Sequence, residues 1–364
     1  MATHFYMYLP NEISNLEMLA GYLRTDIDSL NKLISGTKLI RGTTLEFIGE
    51  PKDFKNPDLS IVRYSIPKKN PKFGYRHVFE IENQFAIDTL KVLKFNLDDL
   101  YVPHPCVHGF VKGRNIATNA RSHLTKKNLL NLDIAHFFET IETSWVERAF
   151  IKLGFNDEVS KALAGMTTIS GYLVQGFHTS PVIANLVAHE MDEEIADHCK
   201  TFKSTFSRYA DDISISSDQE LPSFKSIEEI ISKYQFTINS SKSKFFKRGQ
   251  KQFVTGLSIF DDKHPRIPKR IKRLIRQELY YIQKFGLDSH LGKRKNKTLT
   301  GGGDDHPMNI LKGWIDYIHS IEPIEAKKLY TEYNRADQLE RERFDKKVEE
   351  NGGVFIIDFP DRLK

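Results

Sequence analysis

The stretch SRYADDISIS, residues 207–216, places two adjacent aspartates between a tyrosine and an alternation of apolar and polar residues. Alternation every second residue is typical of half-buried strands, so we predict a β-hairpin whose tight turn carries Asp211 and Asp212. The chain contains three other Asp-Asp pairs, and these lack such flanks; Asp304–Asp305, for example, follows three glycines. Most such pairs are ordinary solvated surface, but in the hairpin the strands fix the position of both carboxylates.

Two carboxylates held this close repel each other unless they are protonated or share a cation. A divalent metal with hard oxygen ligands meets that need, and Mg²⁺ suits such a site best. A third carboxylate, Asp133, ends the apolar strand LLNLDI (129–134), where a sheet presents a ligand at its rim. If that strand lies beside the hairpin, the three aspartates would hold two metal ions about 3.5–4 Å apart, which activate a 3′-hydroxyl and stabilise a leaving pyrophosphate. Each aspartate alone is more often a turn or capping residue; their order and separation are the specific feature.

The composition predicts a folded protein. Of 364 residues 40% are hydrophobic, with 25 Phe and 14 Tyr, which is ample for a core and argues against disorder over most of the chain. Cys106 and Cys199 are the only cysteines and have no metal-ligand spacing, so we expect neither a zinc site nor a disulfide framework. The chain starts without a signal pattern, and no apolar run approaches the roughly 20 residues of a membrane span. We therefore expect a cytoplasmic protein without membrane contact.

The positive charge is concentrated in one segment. Residues 242–297 contain 17 Lys or Arg and four Asp or Glu, a net +13, whereas the whole chain has +5. Such asymmetry favours a positive face for a polyanion. The alternative is a solvated basic helix.

The periodicity of the chain mixes helices and strands without regular βα repeats, which favours an α+β fold. The predicted helices cover 14–35, 86–100, 180–198, 224–234, 268 onward and 308–348, with Ser180 capping and Pro181 in the first helical position. The predicted strands cover 45–85, 128–134, 205–216, 235–239 and 252–260, and 291–307 is predicted to be a loop.

Several motifs together resemble those of reverse transcriptases, over about residues 45–335. These are IPKKNPKFGYR (66–76) for the basic fingers, LDIAHFF (132–138) for the first catalytic motif, QGFHTSP (175–181) for the motif after it, YADD (209–212), INSSKSK (238–244) for the lysine-bearing motif, and FVTGLSIF (253–260) for the strand beyond. The resemblance implies a right-hand polymerase. We expect an N-terminal helical extension (1–44), fingers with interleaved palm elements (45–125), a palm of antiparallel sheet and helices (126–262), a helical thumb (263–348) and a C-terminal tail (349–364).

Two further motifs are similar to signatures of retron reverse transcriptases, the bacterial enzymes that make multicopy single-stranded DNA. They are Asn119-Ala-x-x-His123 and Val254-Thr255-Gly256. Alone, the first would be a helix cap with a surface histidine and the second an ordinary strand. The segment ILKGWIDYIHSI (310–321) also resembles the thumb helix of that group. No endonuclease or long maturase extension follows, which argues against a group II intron protein.

The resemblance implies roles for the catalytic-centre residues. Asp133, Asp211 and Asp212 are expected to be the catalytic carboxylates that bind two Mg²⁺ ions. Phe138 is expected to lie under the sugar and block a 2′-hydroxyl; the alternative is a core residue beside Phe137.

The nucleotide is expected to contact Gln175, which with Gly176 resembles the pair that lines the nascent base pair, although Val174, Phe177 and His178 depart from the usual pattern. Cations of the fingers would hold the incoming triphosphate, unless they are ordinary surface cations: Lys68, Lys69 and Arg76. Lys242 resembles the lysine that protonates pyrophosphate, and Tyr209 is expected near the primer end.

The implied partners follow from the same resemblance. They are a structured noncoding RNA that serves as template and supplies a guanosine 2′-hydroxyl as primer, the DNA product, dNTPs, a host RNase H, and an effector protein of an antiphage system. Five cations lie off the apolar stripe of the helix after Pro268 and are expected to meet phosphates: Lys269, Arg270, Lys272, Arg273 and Arg276. The RNA-specific work is expected of Asn119, His123, Val254, Thr255 and Gly256.

Three alternatives remain at this point. The first is another bacterial reverse transcriptase, of the diversity-generating, abortive-infection or group II intron-like type. The second is an RNA-dependent RNA polymerase, which Phe138 disfavours because a gate that accepts ribose usually carries a small or polar residue. The third is a catalytically idle RNA-binding scaffold, which the presence of all three aspartates disfavours.

Overall fold

A computed structural model describes residues 9–36, 55–56, 61–68, 74–289 and 306–350. The chain divides into two compact units, residues 1–255 and 256–364, each of which has its own packing. Within the described ranges, no helix is both long enough and apolar enough to cross a lipid bilayer.

The first unit combines short strands with helices packed around one large apolar core. Its helices are α1 (Leu16–Tyr22), α2 (Ile27–Gly36), α3 (Gln84–Leu100), α4 (Ile116–Arg121), α5 (Phe137–Thr140), α6 (Thr143–Lys152), α7 (Asp157–Thr167), α8 (Ser180–Val187), α9 (His189–Thr201) and α10 (Phe224–Lys233). Its strands are β1 (Lys55–Asn56), β2 (Ile61–Pro67), β3 (Tyr75–Ile81), β4 (Asn128–Asp133), β5 (Thr168–Ile169), β6 (Tyr172–Leu173), β7 (Thr205–Tyr209), β8 (Asp212–Ser217), β9 (Lys244–Lys247) and β10 (Phe253–Val254). Asparagine and serine side chains start five of the helices by accepting backbone N–H bonds: Asn15 for α1, Asn83 for α3, Asn115 for α4, Asn156 for α7 and Ser223 for α10.

The central sheet is antiparallel and has the strand order β7-β8-β4-β9. Buried apolar residues on β4 and β8, such as Leu132 and Ile213, are paired across the two strands and anchor them in the core. A second antiparallel sheet, β1-β2-β3, lies within residues 45–125, the range predicted for the fingers. The pairing of β4 with β8 brings two distant parts of the chain together at one end of the sheet.

The hairpin between β7 and β8 has a two-residue turn, Ala210-Asp211, because Tyr209 and Asp212 are directly paired. Ala210 has a φ of 58°, a left-handed conformation that is uncommon for a residue with a side chain. The turn packs on Gly109 so closely that a Cβ there would lie 2.4 Å from the Ala210 nitrogen. The loop that contains Gly109 therefore supports the turn through backbone contact.

The second unit contains β11 (Leu257–Ser258) and the helices α11 (Lys269–Phe285), α12 (Pro307–His319) and α13 (Pro323–Glu350). Helix α11 packs by the predicted apolar face, with Ile275, Leu279 and Ile282 buried, while α12 buries Leu311 and Ile315. Both helices pack against α13.

The predicted elements agree with the structure where periodicity is strong. The hairpin, the strand before Asp133 and the helices over 86–100 and 224–234 are confirmed within a few residues. The strand predicted over 235–239 is wrong, because that segment makes only a single bridge, from Ile238 to Ile134. The strand predicted over 252–260 is interrupted, because Thr255 and Gly256 both adopt positive φ.

The helix predicted from residue 180 is also modified. Ser180 lies inside α8 instead of capping it, with Thr179 at the cap position, and the helix breaks at Ala188 before α9 begins. Most of the loop predicted over 291–307 lies outside the described residues, as does most of the tail predicted over 349–364.

Candidate active site

The structure brings the three predicted carboxylates together at one end of the central sheet. Asp133 is the last residue of β4 and is paired directly with Asp212, the first residue of β8. Asp211 occupies the turn before β8, and its carbonyl oxygen accepts a hydrogen bond of 2.9 Å from the Ile134 N–H. The backbone therefore ties the end of β4 to the turn and brings the three aspartates to the same end of the sheet.

Burial and mutual repulsion raise the pKa of two of these carboxyl groups, with burial the larger cause. Desolvation by the surrounding protein raises the pKa of Asp211, and the charge of Asp133 raises it further, while Lys242 and Arg76 act in the opposite direction. Desolvation, followed by the charges of Asp211 and Asp133, raises the pKa of Asp212 to about 6, although part of this residue reaches solvent. The site thus concentrates negative charge at one end of the sheet.

One protein cation does lie in the site. The Lys242 ammonium donates to both carboxylate oxygens of Asp133, at 3.0 and 2.9 Å. Asp133 is 7% exposed, whereas 60% of the Lys242 side chain is exposed, so the lysine reaches the carboxylate from solvent. The segment that carries Lys242 is held in place by the Asn239 N–H, which donates to the Asp133 carbonyl at 2.7 Å.

The donor set fits a divalent cation. It consists of hard carboxylate oxygens, which Mg²⁺ prefers, and two of the three carboxyl groups have raised pKa values that a bound cation would lower. In the part of the chain that the structure describes, no group of three or more His, Cys, Asp or Glu side chains is closed tightly enough to hold a metal ion. Both oxygens of Asp133 instead accept hydrogen bonds from the Lys242 ammonium group.

Phe138, the predicted sugar gate, lies on α5 five residues after Asp133 and is partly buried. Its ring makes edge-to-face contacts with Phe137 and Phe110, at centroid distances of 5.6 and 6.1 Å. Phe137 is almost fully buried and provides the core contact, while Phe110 is exposed. The two phenylalanines of the motif therefore have different environments, and Phe138 is the one that reaches the surface.

Gln175 lies between two elements of the first unit. Its side chain donates to Glu139 of α5 at 3.1 Å, and its carbonyl oxygen accepts a 2.7 Å hydrogen bond from the Phe79 N–H of β3. The next residue, Gly176, has a φ of 116°, and a Cβ there would lie 2.0 Å from the Phe79 carbonyl oxygen. Only glycine fits this close crossing of the two backbones.

Lys68 and Arg76, two of the three cations predicted in the fingers, lie at one end of the β2–β3 hairpin. The Lys68 N–H donates to the Gly74 carbonyl at 3.0 Å, and Arg76, which is exposed, is paired with Ile66. The charge of Arg76 acts on the pKa of Asp211, which places Arg76 within electrostatic reach of the carboxylates. Lys69 lies outside the described residues.

The two retron-like motifs contact each other. Helix α4, which carries Asn119, packs against β10, and the Thr255 hydroxyl donates to the Ile116 carbonyl at 3.2 Å. Both Asn119 and Val254 are buried, and the Asn119 Oδ1 has no hydrogen-bond partner among the described residues. These positions form a packed unit of the protein, and Gly256 is exposed.

His123 is completely buried, which differs from the surface position that a lone histidine would suggest. Its two ring nitrogens contact the hydroxyls of Ser216 on β8 and Ser207 on β7, at 2.6 and 2.7 Å. Burial lowers the pKa of His123 to about 3, so the ring is neutral and offers one donor and one acceptor. In this structure the histidine bridges the two strands of the catalytic hairpin and presents no surface to RNA.

The five cations predicted to meet phosphates fall into two groups. Lys272 is 12% exposed and donates to the buried Glu322 at 3.1 and 2.9 Å, and Arg276 is paired with Glu325. Within the described residues, the other three are exposed and form no ion pair: Lys269, Arg270 and Arg273. Acidic residues that are distant in sequence thus pair with two of the five predicted cations, and RNA contact by the five stays a prediction.

Arg208 and Asp192 were not predicted as site residues. Their side chains are both 0% exposed, and the guanidinium donates to both oxygens of the carboxylate at 2.6 Å. The sequence contains one signal for this pair. Arg208 lies two residues after the buried Phe206 on the same strand, so its side chain points to the same, buried face of the sheet.

Comparisons with known proteins agree with this geometry. The family model of reverse transcriptases (RNA-dependent DNA polymerases) matches residues 66–274, more than half of the chain. The retron Ec73 reverse transcriptase of Escherichia coli is 29% identical over 322 residues, covering 83% of this chain and 92% of that protein. The retron Ec86 reverse transcriptase of Escherichia coli is 26% identical over 278 residues, covering 76% and 81%.

A third relative shares a shorter region. The retron Se72 reverse transcriptase of Salmonella heidelberg (strain 579083-10) is 30% identical over 245 residues, which cover 64% of this chain. The matched region spans 63% of the Se72 protein, less than two thirds of its length. Since the family model covers the sheet with all three aspartates, the chain belongs to the reverse transcriptase family, and the relatives to which it is similar are retron reverse transcriptases.

Proposed function

We propose that this protein is the RNA-directed DNA polymerase of a retron. The observation that carries the proposal is the direct pairing of Asp133 with Asp212, with Asp211 in the adjoining turn. This arrangement brings three carboxylates to the rim of a rigid sheet, as a right-hand polymerase requires. The matched family and the names of the similar proteins support the same activity.

The chemistry proposed is nucleotidyl transfer from a dNTP to a primer hydroxyl. Two Mg²⁺ ions, held by Asp133, Asp211 and Asp212, would supply activation of the hydroxyl and stabilisation of the pyrophosphate charge. The ionised carboxylates would provide the charge for this binding, and Asp133, which now accepts from Lys242, would be one of the ligands.

The remaining residues of the site select and orient the nucleotide. Lys242, once released from Asp133, is a proton donor for the pyrophosphate, and Arg76 and Lys68 add positive charge for the triphosphate. Phe138 is assigned to exclude a ribose 2′-hydroxyl, and Gln175, which donates to Glu139, is assigned to line the nascent base pair.

The proposed template is a cognate structured noncoding RNA, which also supplies a guanosine 2′-hydroxyl as the primer. The product is RNA-linked single-stranded DNA, from which a host RNase H removes the template. The exposed Lys269, Arg270 and Arg273 give thumb helix α11 a face for RNA phosphates. The wider role proposed is antiphage defence with an effector protein.

The burial of the retron-like motif suggests how it contributes. His123 joins β7 to β8, and its helix contacts Thr255. We therefore assign Asn119, His123 and Val254 to shaping the RNA-binding surface around α4 and the Thr255–Gly256 bend, and leave direct RNA contact to exposed neighbours such as Gly256.

The test is co-expression with the noncoding RNA of the neighbouring locus. Extracts should contain branched RNA-linked DNA that disappears in the variant Asp211→Asn/Asp212→Asn, while that variant still binds the RNA. Incorporation of rNTPs at the rate of dNTPs would indicate an RNA polymerase instead. DNA synthesis without the branched linkage would indicate another class of bacterial reverse transcriptase, and synthesis by the double variant would refute the site.

A further inference from the structure

Arg208 carries a positive charge into the interior of the first unit, one residue before Tyr209 of the YADD turn. It is the largest fully buried side chain among the described residues. Burial of an unpaired guanidinium is very unfavourable, so the residue needs a compensating carboxylate. Asp192 of α9 provides it through two hydrogen bonds of 2.6 Å in a bidentate arrangement.

The pair with Asp192 leaves a further nitrogen of the guanidinium, which points to the catalytic turn. Nη1 donates to the Ala210 carbonyl at 3.0 Å. Ala210 is the residue with a φ of 58°, and it directly precedes Asp211. A left-handed conformation is strained for alanine, and a charge-assisted hydrogen bond to its carbonyl offsets that strain.

The backbone of Arg208 is held as firmly as its side chain. Its N–H donates to the Cys106 carbonyl at 2.9 Å, and its carbonyl accepts from the His108 N–H at 2.8 Å. The guanidinium carbon also lies 5.5 Å from the ring centroid of Phe137, the neighbour of Phe138. Arg208 therefore contacts both the turn with Asp211 and the helix with the proposed sugar gate.

A buried ion pair is seldom the most stable solution for a protein interior, because apolar residues of the same volume often do as well. Its retention here at the catalytic turn suggests a role other than net stability. The alternative is a purely structural pair that connects β7 with α9.

We propose that Arg208, oriented by Asp192, is a positioning residue that holds the Ala210–Asp211 turn in the geometry required for catalysis. It touches neither substrate nor metal and acts through the Ala210 carbonyl. The proposal rests on the proposed polymerase function for its catalytic consequence. Its structural consequence, a rigid turn, is independent of that function.

The test separates positioning from stability with two variants. Arg208→Lys keeps the charge, but its single ammonium cannot reproduce the fork that bonds Asp192 and the Ala210 carbonyl together. Arg208→Met/Asp192→Leu removes both charges and replaces them with apolar groups, which deletes the bond to the turn without leaving an unpaired charge in the interior. The control is Lys152→Met/Glu190→Leu, which removes an exposed ion pair that also involves α9.

The first readout is hydrogen exchange, which needs no catalysis. The Ile134 N–H donates to the Asp211 carbonyl, so a loosened turn should accelerate exchange in peptides covering 128–135 and 205–212 in both Arg208 variants. The control pair should leave these peptides unchanged. Unchanged exchange in folded Arg208→Lys overturns the proposal, even if the double variant fails to fold.

The second readout is primer extension on RNA. Because a misplacement of about 1 Å can reduce turnover on the order of 10²-fold, kcat should fall by about that factor while KM for the dNTP changes less than about threefold. Full kcat in the stable double variant would show that the pair is structural only. If the parent protein extends no primer, the proposed function fails, and the exchange result still decides whether Arg208 holds the turn.

Discussion

Lys242 donates to both carboxylate oxygens of Asp133, so an ammonium group lies where the proposed function requires a metal ion. Lysine and Mg²⁺ therefore compete for one carboxylate. We predict that Lys242→Gln binds Mg²⁺ more tightly than the parent, by about three- to tenfold, because the competing charge is gone. A thermal-shift titration with MgCl₂ measures the Mg²⁺ concentration at the midpoint of binding for each protein.

The matched control for this titration is Lys244→Gln, which removes a nearby exposed lysine on β9 that forms no ion pair within the described residues. It changes the net charge equally but does not touch Asp133. Equal Mg²⁺ midpoints in the two variants would show that only the general charge matters. Turnover should fall in Lys242→Gln alone, because the proposed proton donor for pyrophosphate is removed.

The raised pKa of Asp212 makes a second prediction about metal-free protein. Its pKa rises from an ordinary 3.8 to about 6 on folding, so the folded state binds more protons than the unfolded state between these values. Ionisation of Asp212 therefore lowers the free energy of unfolding as the pH rises through about 4 to 6. Asp212→Asn should accordingly raise Tm at pH 7 and have little effect at pH 4.

Addition of Mg²⁺ should reverse this order at pH 7, since the metal stabilises the parent more than Asp212→Asn. Asp218→Asn provides a control of opposite sign, because a hydrogen bond from Lys126 lowers the pKa of Asp218. That variant should lose a little stability at pH 7 and none at low pH. A Tm difference for Asp212→Asn that does not vary with pH would contradict the raised pKa of Asp212.

The parts of the site that sequence predicts are those with local periodicity. Alternation in SRYADDISIS and the apolar run before Asp133 determine both strands, and the order of the motifs links them. The contacts of Lys272 with Glu322 and of His123 with Ser207 and Ser216 could not be predicted in this way. They join residues that are distant in sequence, and the residues next to a charged or polar side chain do not indicate its partner in the folded protein.

The same reason explains the missed bend in FVTGLSIF. Its apolar alternation predicts one strand, but the strand is interrupted at Thr255, where φ is positive at 46°. At this position the Thr255 hydroxyl donates to the Ile116 carbonyl. A tertiary hydrogen bond to α4 thus prevails over the local strand preference.

Gly176 allows a third prediction, on the loop that carries Gln175. Gly176→Ala introduces a Cβ about 2.0 Å from the Phe79 carbonyl oxygen, so the loop must move away from β3. Gly171→Ala is the matched control, since its φ of 91° is also left-handed but nothing lies within 4 Å of the added Cβ. Both variants share the backbone strain, and only the first adds overpacking of about 1–3 kcal/mol.

Urea unfolding should therefore give a larger loss of stability for Gly176→Ala than for Gly171→Ala, and primer extension should decrease only in the former. Equal losses would show that the close crossing with β3 has no energetic weight.

The two groups of cations on α11 make the last prediction. Arg270→Gln/Arg273→Gln removes exposed charges without ion pairs, so RNA affinity should fall, and the slope of log K against log salt should decrease by about 0.7–0.9 for each phosphate that is no longer neutralised. Lys272→Met should leave the slope unchanged. It removes a partner of the buried Glu322 and should instead destabilise the second unit by about 1–3 kcal/mol. Filter binding of the noncoding RNA over a range of salt concentrations, with urea unfolding of each variant, distinguishes these effects, and a reduced slope in Lys272→Met would return that lysine to the RNA-binding face.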